Sequence, residues 1–102
     1  MKCKILIDGK EREVIISGIT KSHRREFLDF AKMLAKIDKD DSMDDGEKAE
    51  KALKIMDWIE ELGLKHSNLP DEDKKKLDLE ASDIITETTR EILQPAGDKK
   101  KS

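Results

Sequence analysis

No tyrosine, one tryptophan and two phenylalanines leave this 102-residue chain with almost no aromatic surface. Its core is therefore thin and aliphatic, and a domain of this size holds only a small stability margin. A single cysteine, Cys3, excludes an internal disulfide and suits a reducing compartment. Cys3 alternates within a strand pattern with no histidine nearby in sequence, which reads as a small packed hydrophobe rather than a nucleophile. The two histidines, His23 and His66, lie on separate segments with no further ligand at metal spacing, so no zinc site is expected. The five glycines are isolated and build no phosphate-binding loop. No apolar run approaches the roughly 18 residues of a membrane span, and MKCKILIDGKE is too short in apolar residues for a signal peptide. A one-signed charge excess is also missing. The net charge of −3 covers a dense mixture of both signs, which argues against nucleic-acid binding. Many carboxylates are present, but a thin aromatic-poor core offers no pocket to shift their pKa values. The expectation is a soluble cytoplasmic protein that is not an enzyme and has no cofactor.

What the chain does have is helical periodicity. In AEKALKIMDWIEELGL, Ala49, Ala52, Leu53, Met56, Ile59 and Leu62 recur at three- and four-residue steps, and Ile55 and Trp58 widen that face. A stripe this wide predicts a helix packed inside the domain, with Trp58 in the core. Gly63 is expected to end it as a left-handed cap, with Leu64 folding back.

The remaining elements follow in order. Lys2 to Ile16 reads as a β-hairpin around Asp8-Gly9, with Cys3, Ile5 and Ile7 on one face. A two-residue loop sets Ile5 opposite Arg12 and mixes charge into that face. A four-residue loop, Asp8 to Glu11, sets Ile5 opposite Val14 and Cys3 opposite Ile16. The second register keeps the face apolar and is the one expected. Ser17-Gly18 ends the strand, and Thr20 or Ser22 caps a helix to about Ile37 that buries Phe27, Phe30, Ala31, Leu34 and Ile37. Lys21, His23, Arg24 and Arg25 crowd its first turn, where the helix dipole disfavours them. They read either as a cationic patch or as a solvated face paired by Glu26 and Asp29.

Asp38 to Gly46, DKDDSMDDG, is a loop. Tested as a calcium loop it fails in both registers, because Met43 falls where a ligand or the glycine belongs. Asp44 or Asp45 is the expected cap of the central helix. Asn68 is expected to cap a short helix, Pro70 to Leu77, and Asp78 the last helix, Leu79 to Leu93, which Gln94-Pro95 stops. The fold class is therefore α+β, mainly α: an N-terminal β-hairpin and a small bundle of three to four helices in one domain, residues 1–94. The tail, residues 95–102, has nothing to bury and is expected to be disordered.

Three stretches carry a resemblance: ILIDGKEREVIISGITKSHRREFLDF at the front, WIEELG in the middle and LDLEASDIITETTREIL at the end. In that order they resemble the small tail assembly chaperones of long-tailed, siphovirus-type bacteriophages or prophages of Gram-positive bacteria. The resemblance implies a non-enzymatic role in the bacterial host cytoplasm. Such chaperones coat the helical tape measure protein and help recruit tail tube subunits. It also implies a longer frameshifted form, for which the codons of Lys99, Lys100 and Lys101 are candidate slippage sites; a plain solubilising tail is the other reading.

A helical client needs an apolar groove, and methionines such as Met33, Met43 and Met56 adapt to an uneven one. Ile55, Trp58, Ile59, Ile85 and Ile92, on the Trp58 helix and the last helix, are the candidate partner-binding residues. The protein is also a possible homo-oligomer. Two other readings stand beside this one: a small dimerising adaptor or regulatory module, and a binder that adds its hairpin edge to another protein's sheet.

Overall fold

The computed structural model describes residues 1–94. Strands β1 (Lys2–Ile7) and β2 (Lys10–Ile15) form an antiparallel hairpin, followed by helices α1 (Lys21–Asp38), α2 (Asp45–Lys65), α3 (Asp71–Lys74) and α4 (Leu79–Leu93). The fold is α+β, mainly α, with the expected hairpin first. The proposed tail, residues 95–102, lies outside the described residues.

The hairpin register differs from expectation. Ile5 pairs with Arg12 and Ile7 with Lys10, so the loop is the two residues Asp8-Gly9. Both have positive φ, 53° and 76°, the twist that matches a two-residue turn to its strands. The charge that this register puts on the inner face is accommodated elsewhere in the fold. Arg12 stays about half exposed and reaches the Asp73 carboxylate of α3 at 3.1 Å. Ile5, Ile7 and Val14 are buried on that face.

Beyond β2 the chain is pinned by the segment leaving α2. Asn68 does not cap α3. Its side-chain oxygen accepts the Ile15 N–H at 3.0 Å, and its own N–H donates to the Ile15 carbonyl at 3.2 Å. The helix α3 accordingly starts without a side-chain cap and lasts one turn, shorter than expected.

Three other caps follow the sequence. Thr20 accepts the His23 N–H, and the His23 ring returns a bond from the Thr20 N–H. Asp44 accepts from Glu47 and Asp78 from Ala81, each at 2.8 Å. The basic first turn of α1 also finds its place. Arg24 donates to the Ile92 carbonyl at the C-terminal end of α4, where the helix dipole favours a cation.

The core has two lobes, and α4 is the wall between them. Ile85 and Ala81 meet Ile5, Ile7, Val14, Ile16 and Leu69 on the hairpin side. Leu93 meets Ile55, Ile59 and Leu62 of α2 on the other. Thr86, Thr88 and Thr89 are tolerated buried in α4 because each hydroxyl donates to the carbonyl four residues earlier, so none of the three is left without a partner.

Helix α2 is less central than its pattern predicts. Leu53 and Met56 stand 59% and 46% exposed, and the buried positions are Ile55, Ile59, Leu62 and Gly63. Gly63 is no cap: α2 runs on to Lys65. A Cβ at Gly63 would lie 2.1 Å from Thr89 Oγ1 and 3.1 Å from Ile85 Cγ2. The glycine is there because α2 and α4 cross against each other at that point.

Candidate protein-binding face on helices α1 and α2

Helix α1 is the anomaly of the fold. It is 18 residues long and amphipathic, yet it buries no residue fully. Phe27, Phe30, Leu34 and Ile37 are only half-buried against α2, while Met33 and Leu28 are 49% and 37% exposed. An amphipathic helix lying this shallowly leaves apolar surface on both of its flanks.

On one flank, Phe30 and Trp58 form an edge-to-face pair, ring centroids 5.0 Å apart at 70°. Around them Met33, Ile55, Lys51 and Lys54 line a shallow groove of about 320 Å³. It continues along α2 past His23, Glu26, Glu61 and Lys65. Trp58 is thus half-buried, neither the core residue its helical pattern predicts nor a free one.

The other flank is a groove of about 460 Å³ between Ala31, Leu34, Ala35, Ile37 and Asp38 of α1 and Lys48 and Ala52 of α2. Its alanines, Ala31 and Ala35 at helical spacing on α1 and Ala52 on α2, keep the walls low. Leu28 extends the same stripe of α1, and Met56, four residues after Ala52, that of α2; both are exposed. Small residues let another helix approach closely, and the exposed Leu and Met side chains give it apolar contact.

Of the five candidate residues, Trp58 and Ile55 line the first groove, Ile55 only as its floor, since at 8% exposure it belongs to the core lobe. Ile59 and Ile85 must be reassigned. At 3% and 0% exposure they fill the two lobes of the core and offer no surface to a partner. Ile92 is half-buried against the hairpin lobe and is also removed from the face. Met43 sits half-buried in the α1–α2 loop rather than in either groove. The residues that sequence reasoning missed are Leu28, Ala31, Ala35 and Ala52. Their signal was the alanine spacing, but only the pose of α1 on α2 shows which side of each helix stays open.

The remaining candidates are weaker. His23 and His66, far apart in sequence, meet edge-on at 5.3 Å. Among the described residues no group of three metal-ligating side chains gathers there or elsewhere. The outer edge of β1 carries a hollow of about 140 Å³ against α4, lined by Leu6, Ala81 and Ile84. That edge bears Lys2 and Lys4, which are ion-paired to Glu13 and Glu11 across the hairpin, a pattern that discourages strand addition. No described helix is long and apolar enough to cross a membrane. Compared with protein-family models, with curated proteins and with solved structures, the chain matches none.

Proposed function

We propose that this protein is a non-enzymatic assembly chaperone that holds amphipathic helical segments of a client against the alanine-lined groove of α1 and α2. The tail assembly chaperones that its sequence resembles supply the concrete form: the client is a tape measure protein, and tail tube subunits are recruited to the coated complex. The observation that carries this reading is that α1 buries no residue fully while its flank offers a low-walled apolar channel. A helix from another protein would complete the packing that α1 lacks. At the rim, Leu28 offers apolar contact and Met56 suits a repeating client of uneven sequence, because its unbranched flexible side chain repacks at little cost.

The test is stoichiometry. Titrated into the tape measure protein of the same genome, the chain should bind in many copies, with the number rising in proportion to client length. Saturation at one or two copies would identify instead a dimerising adaptor. No binding, with no effect on client solubility, would refute the chaperone reading.

A further inference from the structure

The opposite flank of α2 carries a charge pattern that nothing so far uses. Reading along it, Glu50, Lys54, Trp58, Glu61 and Lys65 follow at steps of four, four, three and four residues, one stripe of a helix. The four charged side chains are exposed, and Trp58 sits half-buried between them. Each Glu precedes a Lys by four residues, a spacing that suits intrahelical pairs. Neither pair closes, since the ion pairs among the described residues all lie elsewhere. The stripe reads negative, positive, tryptophan, negative, positive. Reversed, it is its own complement.

From this antisymmetry we infer that a second copy of the chain docks on the Trp58 groove, with the two α2 helices antiparallel about a two-fold axis at Trp58. The operation sets Lys54 opposite Glu61 of the second copy and Glu50 opposite Lys65, each twice. A parallel arrangement puts like charge on like. The axis also brings together the two apolar centres, Trp58 with Phe30 and Met33, and covers the flank of α1 that its own chain leaves open. The result is a four-helix arrangement, α1 and α2 from each copy, with an isologous interface. The stripe from Glu50 to Lys65 is about 22 Å long at the helical rise, so the interface is small and the association weak. This dimer leaves the alanine grooves outside the interface, and it stands whether or not the client is a tape measure protein.

The experiment is sedimentation equilibrium of the full chain from low micromolar to millimolar concentration. The wild type should pass from monomer to dimer, with Trp58 emission moving to shorter wavelength as the indole is covered. Lys54→Glu and Glu61→Lys each place like charges opposite at two symmetric points and should each weaken the dimer by about tenfold or more. The double variant restores opposite charges and should recover the wild-type constant. Both substitutions are at exposed positions, so the melting temperatures of the three variants should match at monomer concentrations. A chain that stays monomeric throughout overturns the inference. So does a dimer that ignores the single variants, or one that the double variant fails to rescue.

Discussion

Gly63→Ala is the substitution in which the fold makes its sharpest demand. At an exposed helical position this change stabilises by about 1 kcal/mol, because alanine gives up less backbone freedom. Here the new methyl would stand 2.1 Å from Thr89 Oγ1, on a side chain with no exposed surface. Thr89 has no easy retreat. Its hydroxyl is bonded at 2.8 Å to the Ile85 carbonyl, and Ile85 Cγ2 crowds the same methyl at 3.1 Å. Relief requires α2 and α4 to separate, at the upper end of the about 1–3 kcal/mol that overpacking costs. Subtracting the helical gain leaves a net loss of about 2 kcal/mol. At about 4–8 °C per kcal/mol for a domain of this size, the melting temperature should fall by on the order of 10 °C. Thermal unfolding followed by circular dichroism reads this directly. The double variant Gly63→Ala with Thr89→Ala removes the obstructing oxygen and should show a favourable coupling of about 1 kcal/mol or more. A Gly63→Ala protein that melts higher than wild type would refute the close crossing of α2 and α4.

Two further predictions follow from local geometry. Trp58→Ala should cost clearly less than the roughly 3–5 kcal/mol typical of a fully buried large side chain, because one side of the indole faces the groove; global unfolding of the variant would show Trp58 to be a core residue. Asp40 should titrate below its ordinary value of 3.8, held down first by the Ser42 hydroxyl and then by the Ser42 N–H, at 2.6 Å and 2.9 Å. Its folded pKa is depressed, so the stability it adds is present above the unfolded pKa and is lost as pH falls through the folded one. Carboxyl NMR should show this lowered midpoint in the wild type and its return toward 3.8 in Ser42→Ala.

Local chemistry was legible in the sequence wherever one segment decides its own fate. The caps at Thr20, Asp44 and Asp78 depend on the next few residues, and all three form. The alternation of Cys3, Ile5 and Ile7 with Lys2, Lys4 and Leu6 marks the strand for the same reason. The register was not legible, because the place of Arg12 on the inner face depends on Asp73 of α3, which comes much later in the chain. Preference for an all-apolar face was outweighed by the turn that Asp8-Gly9 makes and by a long side chain able to reach the Asp73 carboxylate. Gly63 misled in a similar way. A glycine near the end of a helical pattern reads as a cap, and only the approach of Thr89 from α4 reveals a packing role. Periodicity picked out Trp58 and Ile55, which line the first groove, Ile55 from its core side. Ile59 and Ile85 share that periodicity but fall on the sides of their helices that meet the core. Which side of an amphipathic helix stays open is set by the angle at which its neighbours lie, and no single helix encodes that angle.

The claim that matters most is that function resides on the open α1–α2 face. Its most direct test is client retention by a variant with Ala31→Glu and Ala35→Glu, beside Lys4→Glu on the hairpin edge as control. Ala31 and Ala35 are exposed, so the melting temperature of the free protein should not change. The predicted result is a folded double variant that no longer holds the proposed client, a tape measure protein, soluble on co-expression, while Lys4→Glu behaves as wild type. A double variant that retains the client as well as wild type does would contradict the account.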